Sequence, residues 1–487
     1  MLPSMKSNQL DPASLPRRIH LLGICGRMVG GLALALHELG LSISGSDARQ
    51  FPPMSDLLAA AGIKVNEAWS RGHLPRRLDA VVTGGAIEET NPELVEARRR
   101  GVPIWNATSF LEEYFLRHSE NMVVAGTKGK TTTTAMLAWI LHHAGWTPNF
   151  LIGGVVRKAG WPLMRLNQGP VMVLEGDEYS CSLRDPAPKF LRYHPRHLVV
   201  TNVRLDHPDR FPTEAAYRAP FELACASLPK EGNLILNADD AGSSSLAGFT
   251  SAPVTSVGFS RQAIHRITGF RSSGKACRFQ LDGVSFCLRL SGRMNVQNAA
   301  LAAVTASVVG VSLSVSSAAL ADFPGVLGRQ ELLARIGDSW IYSDEAYHPL
   351  AVRAVLDAIK SRHPKRKIIV VFAPSYTGGR SGIAQRELPS CLASAASAAV
   401  LFPACDGPPS AEAPFDDQQF CRDLITLGVM AKTISTLTEL VQTTCELVSN
   451  GDILLICMPP GPPVTKQRIL KQLEETLGHP AKRGPEK

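Results

Sequence analysis

The chain has 487 residues, of which 45% are hydrophobic and 19% charged, with a formal net charge of +8. That length exceeds what one hydrophobic core organises and points to two to four domains, with three expected, while the apolar share excludes disorder as the general state. The positive balance favours anionic partners, but no arginine-rich run or aromatic-interleaved basic patch points to nucleic acid, so small anionic molecules are expected instead.

The opening "MLPSMKSNQLDPASLPRR" lacks the apolar stretch of a secretory signal. After it, "IHLLG", "GGLALALHELG", "LSISGSD", "SDLLAAAGI" and "DAVVTGG" alternate short apolar runs with helical patterns, which predicts parallel βαβ units. Gly23, Gly26, Gly30 and Gly31 follow the first run in a spacing that departs from G-x-G-x-x-G. They fit either a dinucleotide turn, with Ser46 and Asp47 after the next strand where a ribose or diphosphate contact would fall, or a tight strand-to-helix turn with close backbone packing.

A second series opens at "NMVVAG" and continues through "PVMVLEGDE" and "RHLVVTNV", predicting another parallel sheet. Between "MVVAG" and a helix with Met136 and Ile140, and Leu137 and Leu141, at i, i+4 lies Gly126-Thr127-Lys128-Gly129-Lys130-Thr131. Glycines let such a turn's N–H groups converge on an anion, the helix N-terminus adds positive potential, and Lys130 supplies a mobile charge. The turn is a shortened P-loop, since position 124 is Val, and it predicts a site for the triphosphate of ATP, with Thr131 in reach of magnesium.

The next strands end in Glu175-Gly176-Asp177-Glu178 and Asp206-His207. Magnesium on a triphosphate takes oxygen ligands from neighbouring strand ends, and Glu175 is the first choice. For His207, a direct ligand, a water-mediated role and a structural histidine all stand.

Ala299 to Ala321 carry no charge over a membrane-spanning length, but six Ser or Thr and a central "GVS" break predict two buried helices. A third α/β series runs through "SWIYSDEAYHP", "KIIVVFAPS", "SAAVLFP" and "GDILLICMPPG", with Val352, Val355, Leu356 and Ile359 at helical spacing. The closing "HPAKRGPEK" reads as a frayed tail. Ten cysteines, without a CxxC pair or zinc-type spacing, suit a reducing cytoplasm.

Together these residues resemble the Mur ligases, the ATP-dependent amide-forming enzymes of bacterial peptidoglycan synthesis and recycling. The likeness is carried by "GTKGKTTT", "EGDEYS", "TNVRLDHPDRF", "GRMNVQNAALA" and "SDEAYHP". It implies an α/β protein of three domains: a Rossmann-like UDP-sugar-binding domain at 17–118, a central P-loop ATPase-like domain with a mostly parallel sheet at 119–324, and a Rossmann-like amine-substrate domain at 325–487. It also implies that ATP is held by Gly126, Thr127, Lys128, Gly129, Lys130, Thr131 and Thr132, with Asn295 and Asn298 facing adenine, Asp344 at the ribose and His348 beside it. Thr131, Glu175 and His207 would serve Mg2+; Lys130, Glu175, His207 and Arg329 would act in catalysis, Arg329 steadying the phosphates. Gly23, Cys25, Gly26, Gly30, Ser46 and Asp47 would frame UDP.

"GICGRMVGGLA", "PPMSDLLAAAGI", "NFLIGG" and "DEYSCSLRDPAPKF" look most like the recycling branch, which joins the murein tripeptide L-alanyl-gamma-D-glutamyl-meso-diaminopimelate to UDP-N-acetylmuramate. The alternative acceptor is L-alanine. From other classes come a catalytically weak UDP-sugar-binding protein and a nicotinamide oxidoreductase, which leaves the P-loop unexplained. A cytoplasmic monomer or weak homo-oligomer is expected. Relatives usually have His at the position of Lys128, a second His at Tyr347 and Asp at Ser180; Lys128 is expected to point outward. "SYTGGR" does not match the pattern expected in the third domain and leaves the acceptor open.

Overall fold

A computed structural model of the protein describes residues 14–478 except 168, 274–275, 375–378, 403–414 and 460–463. Residues 1–13, the basic tail from 479 and most of "SYTGGR" thus lie outside the described residues.

The first sheet has, among the described residues, five strands in the order Val65–Glu67, Ser42–Asp47, Arg18–Leu22, Ala80–Thr83, Ile104–Asn106. All neighbours are parallel. Arg18–Leu22 and Ala80–Thr83 are almost wholly buried, as expected of strands covered on both faces. The order turns back beside Arg18–Leu22, so the glycine turn after Leu22 opens at the topological switch point.

In the second sheet the parallel run Asn233–Asn237, His197–Val200, Glu120–Ala125, Val171–Gly176 forms the middle. Beyond Val254–Gly258 come His265–Ser272, Cys277–Leu281 and Val284–Leu288, the last two joined in antiparallel pairs. The sequence reading missed these three. Cys277–Leu281 alternates buried and exposed residues, so it lacks the continuous apolar run that marks a doubly covered strand.

The third sheet runs Glu331–Ile336, Ser339–Asp344, Ile453–Cys457, Ile368–Phe372, Ala398–Leu401, Met430–Thr433. All its neighbours are parallel except the first pair.

Helices Lys130–His143 and Arg293–Val308 are buried around most of their circumference and pack together over the central sheet, which explains their lack of an amphipathic stripe. Ala299 to Ala321 falls into two helices, Arg293–Val308 and Leu313–Ala321, with the Ser312 side chain capping the second; only the first is buried as expected, since the second buries Ser316, Ala319 and Leu320 and exposes Ser314, Val315 and Ala318. Among the described residues no helix is long and apolar enough to cross a membrane. One apolar cluster joins Leu32 and Leu36 of helix Arg27–Glu38 to Leu163, Met164 and Leu174 of the central unit. The third sheet carries two apolar layers of its own.

Candidate active site

Strand Glu120–Ala125 delivers the chain into the lysine turn, and helix Lys130–His143 leaves it. Gly129 sits at φ 90°, and a Cβ there would stand 2.6 Å from Asn298 Oδ1, so both backbone conformation and space require glycine. No side chain caps the helix, which leaves its first N–H groups open toward a cavity of about 450 Å³. Thr127 lines the cavity and is fixed by its hydroxyl, which donates to the Arg204 carbonyl at 2.8 Å, and by its N–H, which donates to the Asn202 carbonyl at 2.9 Å. Lys130 Nζ donates to the Gly126 carbonyl at 2.6 Å and pairs with Glu178 Oε2 at 2.7 Å. Thr132 also lines the cavity.

The residues expected at the metal fall into two groups. Thr131 Oγ1 donates to Glu175 Oε1 at 2.8 Å, and the Gly153 N–H donates to Glu175 Oε2 at 2.6 Å. Desolvation raises the Glu175 pKa, against the pull of Lys130. His207 stands instead with Glu178 and Asp206: ligand atoms of these three lie within 4.8 Å of one another. His207 Nε2 is 3.2 Å from Glu178 Oε1, and Nδ1 is 2.9 Å from the Tyr179 hydroxyl. His207 has φ 54°, a left-handed backbone costly for a non-glycine residue. Glu178 was not singled out from the sequence. The missed signal was strand length: the strand runs to Gly176, so Glu175 is still within it and Glu178 lies beyond its carboxyl end.

Lys128 does not point outward. Its ammonium pairs with Asp206 Oδ2 at 2.7 Å and lies 4.0 Å from the centre of the Tyr347 ring, whose hydroxyl donates to the same carboxylate oxygen at 3.1 Å. A buried carboxylate without a partner is costly; Lys128 supplies an ammonium to it, and His207 Nε2 stands 3.5 Å from the same oxygen. Burial penalises the Asp206 charge, but the Lys128 ammonium, with His207 and His348, outweighs it and holds the pKa well below the usual carboxylate range. Ser180 accepts a hydrogen bond from Arg210.

The third sheet supplies the opposite wall. Arg329, Asp344 and Glu345 line the cavity, and Arg329 Nη1 pairs with Glu345 Oε2 at 2.6 Å. Asp344 accepts from the Gln330 and Ala346 N–H groups, each at 2.8 Å, while burial lifts its pKa to about 6. His348 does not line the cavity. It caps helix Pro349–Arg362, its Nδ1 accepting from the Leu350 N–H at 3.2 Å while Nε2 faces the Leu205 carbonyl at 3.2 Å. Asn295 reaches the cavity, but Asn298 packs beneath Gly129.

A second cleft, of about 830 Å³, lies between the first sheet and the central one. Gly23, Gly26 and Asp47 line it; Cys25, Gly30 and Ser46 do not. Cys25 is buried, with its N–H donating to Asp47 Oδ2 at 2.8 Å. Gly30 faces Met54, and Ser46 Oγ is 3.3 Å from the buried His20 ring. Those three residues shape the turn from behind, and the side chain that reaches the cleft from Ser46-Asp47 is Asp47.

Comparison with known proteins matches three family models in succession: Mur ligase family, catalytic domain, at residues 18–119; Mur ligase middle domain at 124–306; and Mur ligase, glutamate ligase domain, at 328–457. The chain is 30% identical over 461 residues to the UDP-N-acetylmuramate--L-alanyl-gamma-D-glutamyl-meso-2,6-diaminoheptandioate ligase of Escherichia coli K12, covering 94% of this chain and 98% of that one. It is 36% identical over 368 residues to the UDP-N-acetylmuramate--L-alanine ligase of Halorhodospira halophila, covering 74% of each. A crystal structure of a murein peptide ligase from Psychrobacter arcticus 273-4 superposes with a TM-score of 0.71 at 28% identity, covering 94% of this chain and 98% of that one.

Proposed function

Because the chain belongs to the Mur ligase family of ATP-dependent amide-bond-forming ligases of peptidoglycan synthesis, we propose that it joins the murein tripeptide to the lactyl carboxylate of UDP-N-acetylmuramate. The observation that carries this reading is the cavity that Lys130 and the open helix N-terminus share with Arg329 and Asp344 of the third sheet. The three sheets lie on either side of residues 119 and 325, which supports domains at 17–118, 119–324 and 325–487. The tripeptide is preferred on the stretches quoted from the first and central units. L-alanine is the second reading, favoured by the higher identity to the Halorhodospira relative. The cysteine pattern supports a cytoplasmic setting.

Lys130 and the turn amides bind the terminal phosphates of ATP, and Arg329 approaches them from the facing wall. The lactyl carboxylate attacks the γ-phosphorus, ADP leaves, and an acyl phosphate results. The amine then attacks the acyl carbon, loses a proton and expels phosphate. Holding the reactants in line supplies much of the rate, and a closed cavity keeps water from the acyl phosphate.

The acidic walls of this cavity suit a hard divalent cation. Glu178, Asp206 and His207 offer two carboxylates and one imidazole to it, with Thr131 and Glu175 near the phosphates. Magnesium, when bound, supplies positive charge against the phosphates. Tyr179 is placed to hold His207 through Nδ1 and leave Nε2 for the cation.

Purified protein with ATP, magnesium, UDP-N-acetylmuramate and either tripeptide or L-alanine tests the reading through phosphate release and product mass. Turnover with tripeptide alone is expected. Turnover with alanine alone selects the second reading, and sugar-nucleotide binding without turnover rejects both. Lys130→Ala is expected to abolish turnover, and retained activity contradicts the phosphate assignment.

A further inference from the structure

Two side chains, Arg27 and Asp177, line both the nucleotide cavity and the cleft beneath the first sheet. Arg27 is the first residue of helix Arg27–Glu38, so its backbone belongs to the first unit. Its guanidinium reaches the other two: Nη1 donates to the Gly153 carbonyl at 2.8 Å, and Nη2 pairs with Glu345 Oε1 at 2.7 Å. The other oxygen of Glu345 holds Arg329. These contacts use two of the five N–H donors a guanidinium carries, and the Arg27 side chain keeps 30% of its surface exposed at the joint between the clefts.

The proposed reaction brings a carboxylate from one cleft to within about 3–3.5 Å of a phosphate in the other. The two anions repel, so the crossing point needs a cation. Asp177 has the wrong sign and is already paired with Lys189 at 2.5 Å. Arg27 has the right sign, a planar fork that matches a carboxylate, and donors to spare. We infer that Arg27 binds the lactyl carboxylate of the sugar nucleotide where the two clefts join, and that Glu345 positions its guanidinium there from the third sheet. This rests on UDP-N-acetylmuramate being the substrate.

Calorimetric titration with UDP-N-acetylmuramate and with its lactyl methyl ester tests the contact. In the wild-type protein the free acid binds more tightly than the ester. Arg27→Met lowers affinity for the acid about 10- to 100-fold and leaves affinity for the ester within about twofold, so the two ligands become equivalent. Arg27→Lys retains part of the preference, and Glu345→Gln weakens the acid more than the ester. Equal loss for acid and ester in Arg27→Met, or no loss for either, overturns the inference, because a guanidinium that only ties the units together does not sense the carboxylate. Circular dichroism checks folding, and Arg27→Gln replaces the Met variant if that one unfolds. Failure of the wild-type protein to bind the acid sinks the substrate reading itself, which separates the two failures.

Discussion

The Lys128 ammonium lies 2.7 Å from Asp206 Oδ2 and 4.0 Å above the Tyr347 ring, so two departures from the relatives' pattern meet on one carboxylate. Lys128→Ala removes the ammonium but leaves the carboxylate the Tyr347 hydroxyl and the His207 N–H, and is expected to cost about 1–3 kcal/mol in urea unfolding. Tyr347→Phe removes only the hydroxyl and costs about 1 kcal/mol. Placing His at both positions is expected to cost less than the sum of the single replacements, because the side chains share one partner. Strict additivity in that cycle argues against coupling.

Glu178, rather than Glu175, shares His207. Glu178→Gln is expected to raise the magnesium concentration for half-maximal turnover about tenfold or more, since a neutral amide is a poor ligand for a hard cation. A magnesium titration of turnover reads this directly, and an unchanged midpoint removes Glu178 from the metal site.

A methyl group on Gly30 would stand 2.4 Å from Met54 Cε and 2.6 Å from the Ile24 carbonyl oxygen. The methionine tip can swing aside, but the backbone oxygen cannot move without shifting the turn. Gly30→Ala is therefore expected to destabilise the protein by about 1–3 kcal/mol, measured by denaturant unfolding. Because Gly23 and Gly26 of that turn line the cleft, a drop in sugar-nucleotide affinity is expected alongside the loss of stability.

His348 is buried and, with Lys128 nearby, its pKa is lowered to about 4. Its Nδ1 lone pair caps a helix, a role open to the neutral ring alone. In the unfolded chain the imidazole takes up a proton near pH 6.5, whereas the folded one stays neutral down to about pH 4. The unfolded state thus binds more protons in that window, and stability falls as pH drops from 6.5 to 4. The loss attributable to His348 is at most about 3–4 kcal/mol. His348→Gln is expected to flatten this part of the stability–pH curve, and an unchanged slope refutes the assignment.

Much of the fold was legible because doubly covered parallel strands are uninterrupted apolar runs. "MVVA", "VMVL" and "IIVVF" are such runs. The lysine turn was legible for the same reason, since strand, glycines and helix agree over a short span. The antiparallel strands after Val254–Gly258 were less so, because half-exposed strands dilute their apolar signal. What sequence did not reveal was direction. Gly26 and Gly30 stand four residues apart, yet one lines a cleft and the other backs onto a methionine. Lys128 reads as solvent-facing from sequence because its partners are distant in the chain: Asp206 follows another strand of the same central sheet, and Tyr347 arrives only when the third sheet docks.

That assembly limits which parts of related enzymes are interchangeable. Grafting the C-terminal third of a relative onto this chain would replace Tyr347 against Lys128 and leave Arg27 facing whatever replaced Glu345. A working chimaera has to import residues 27 and 128 along with the graft, so inheritance at these sites follows the seam and not the segment.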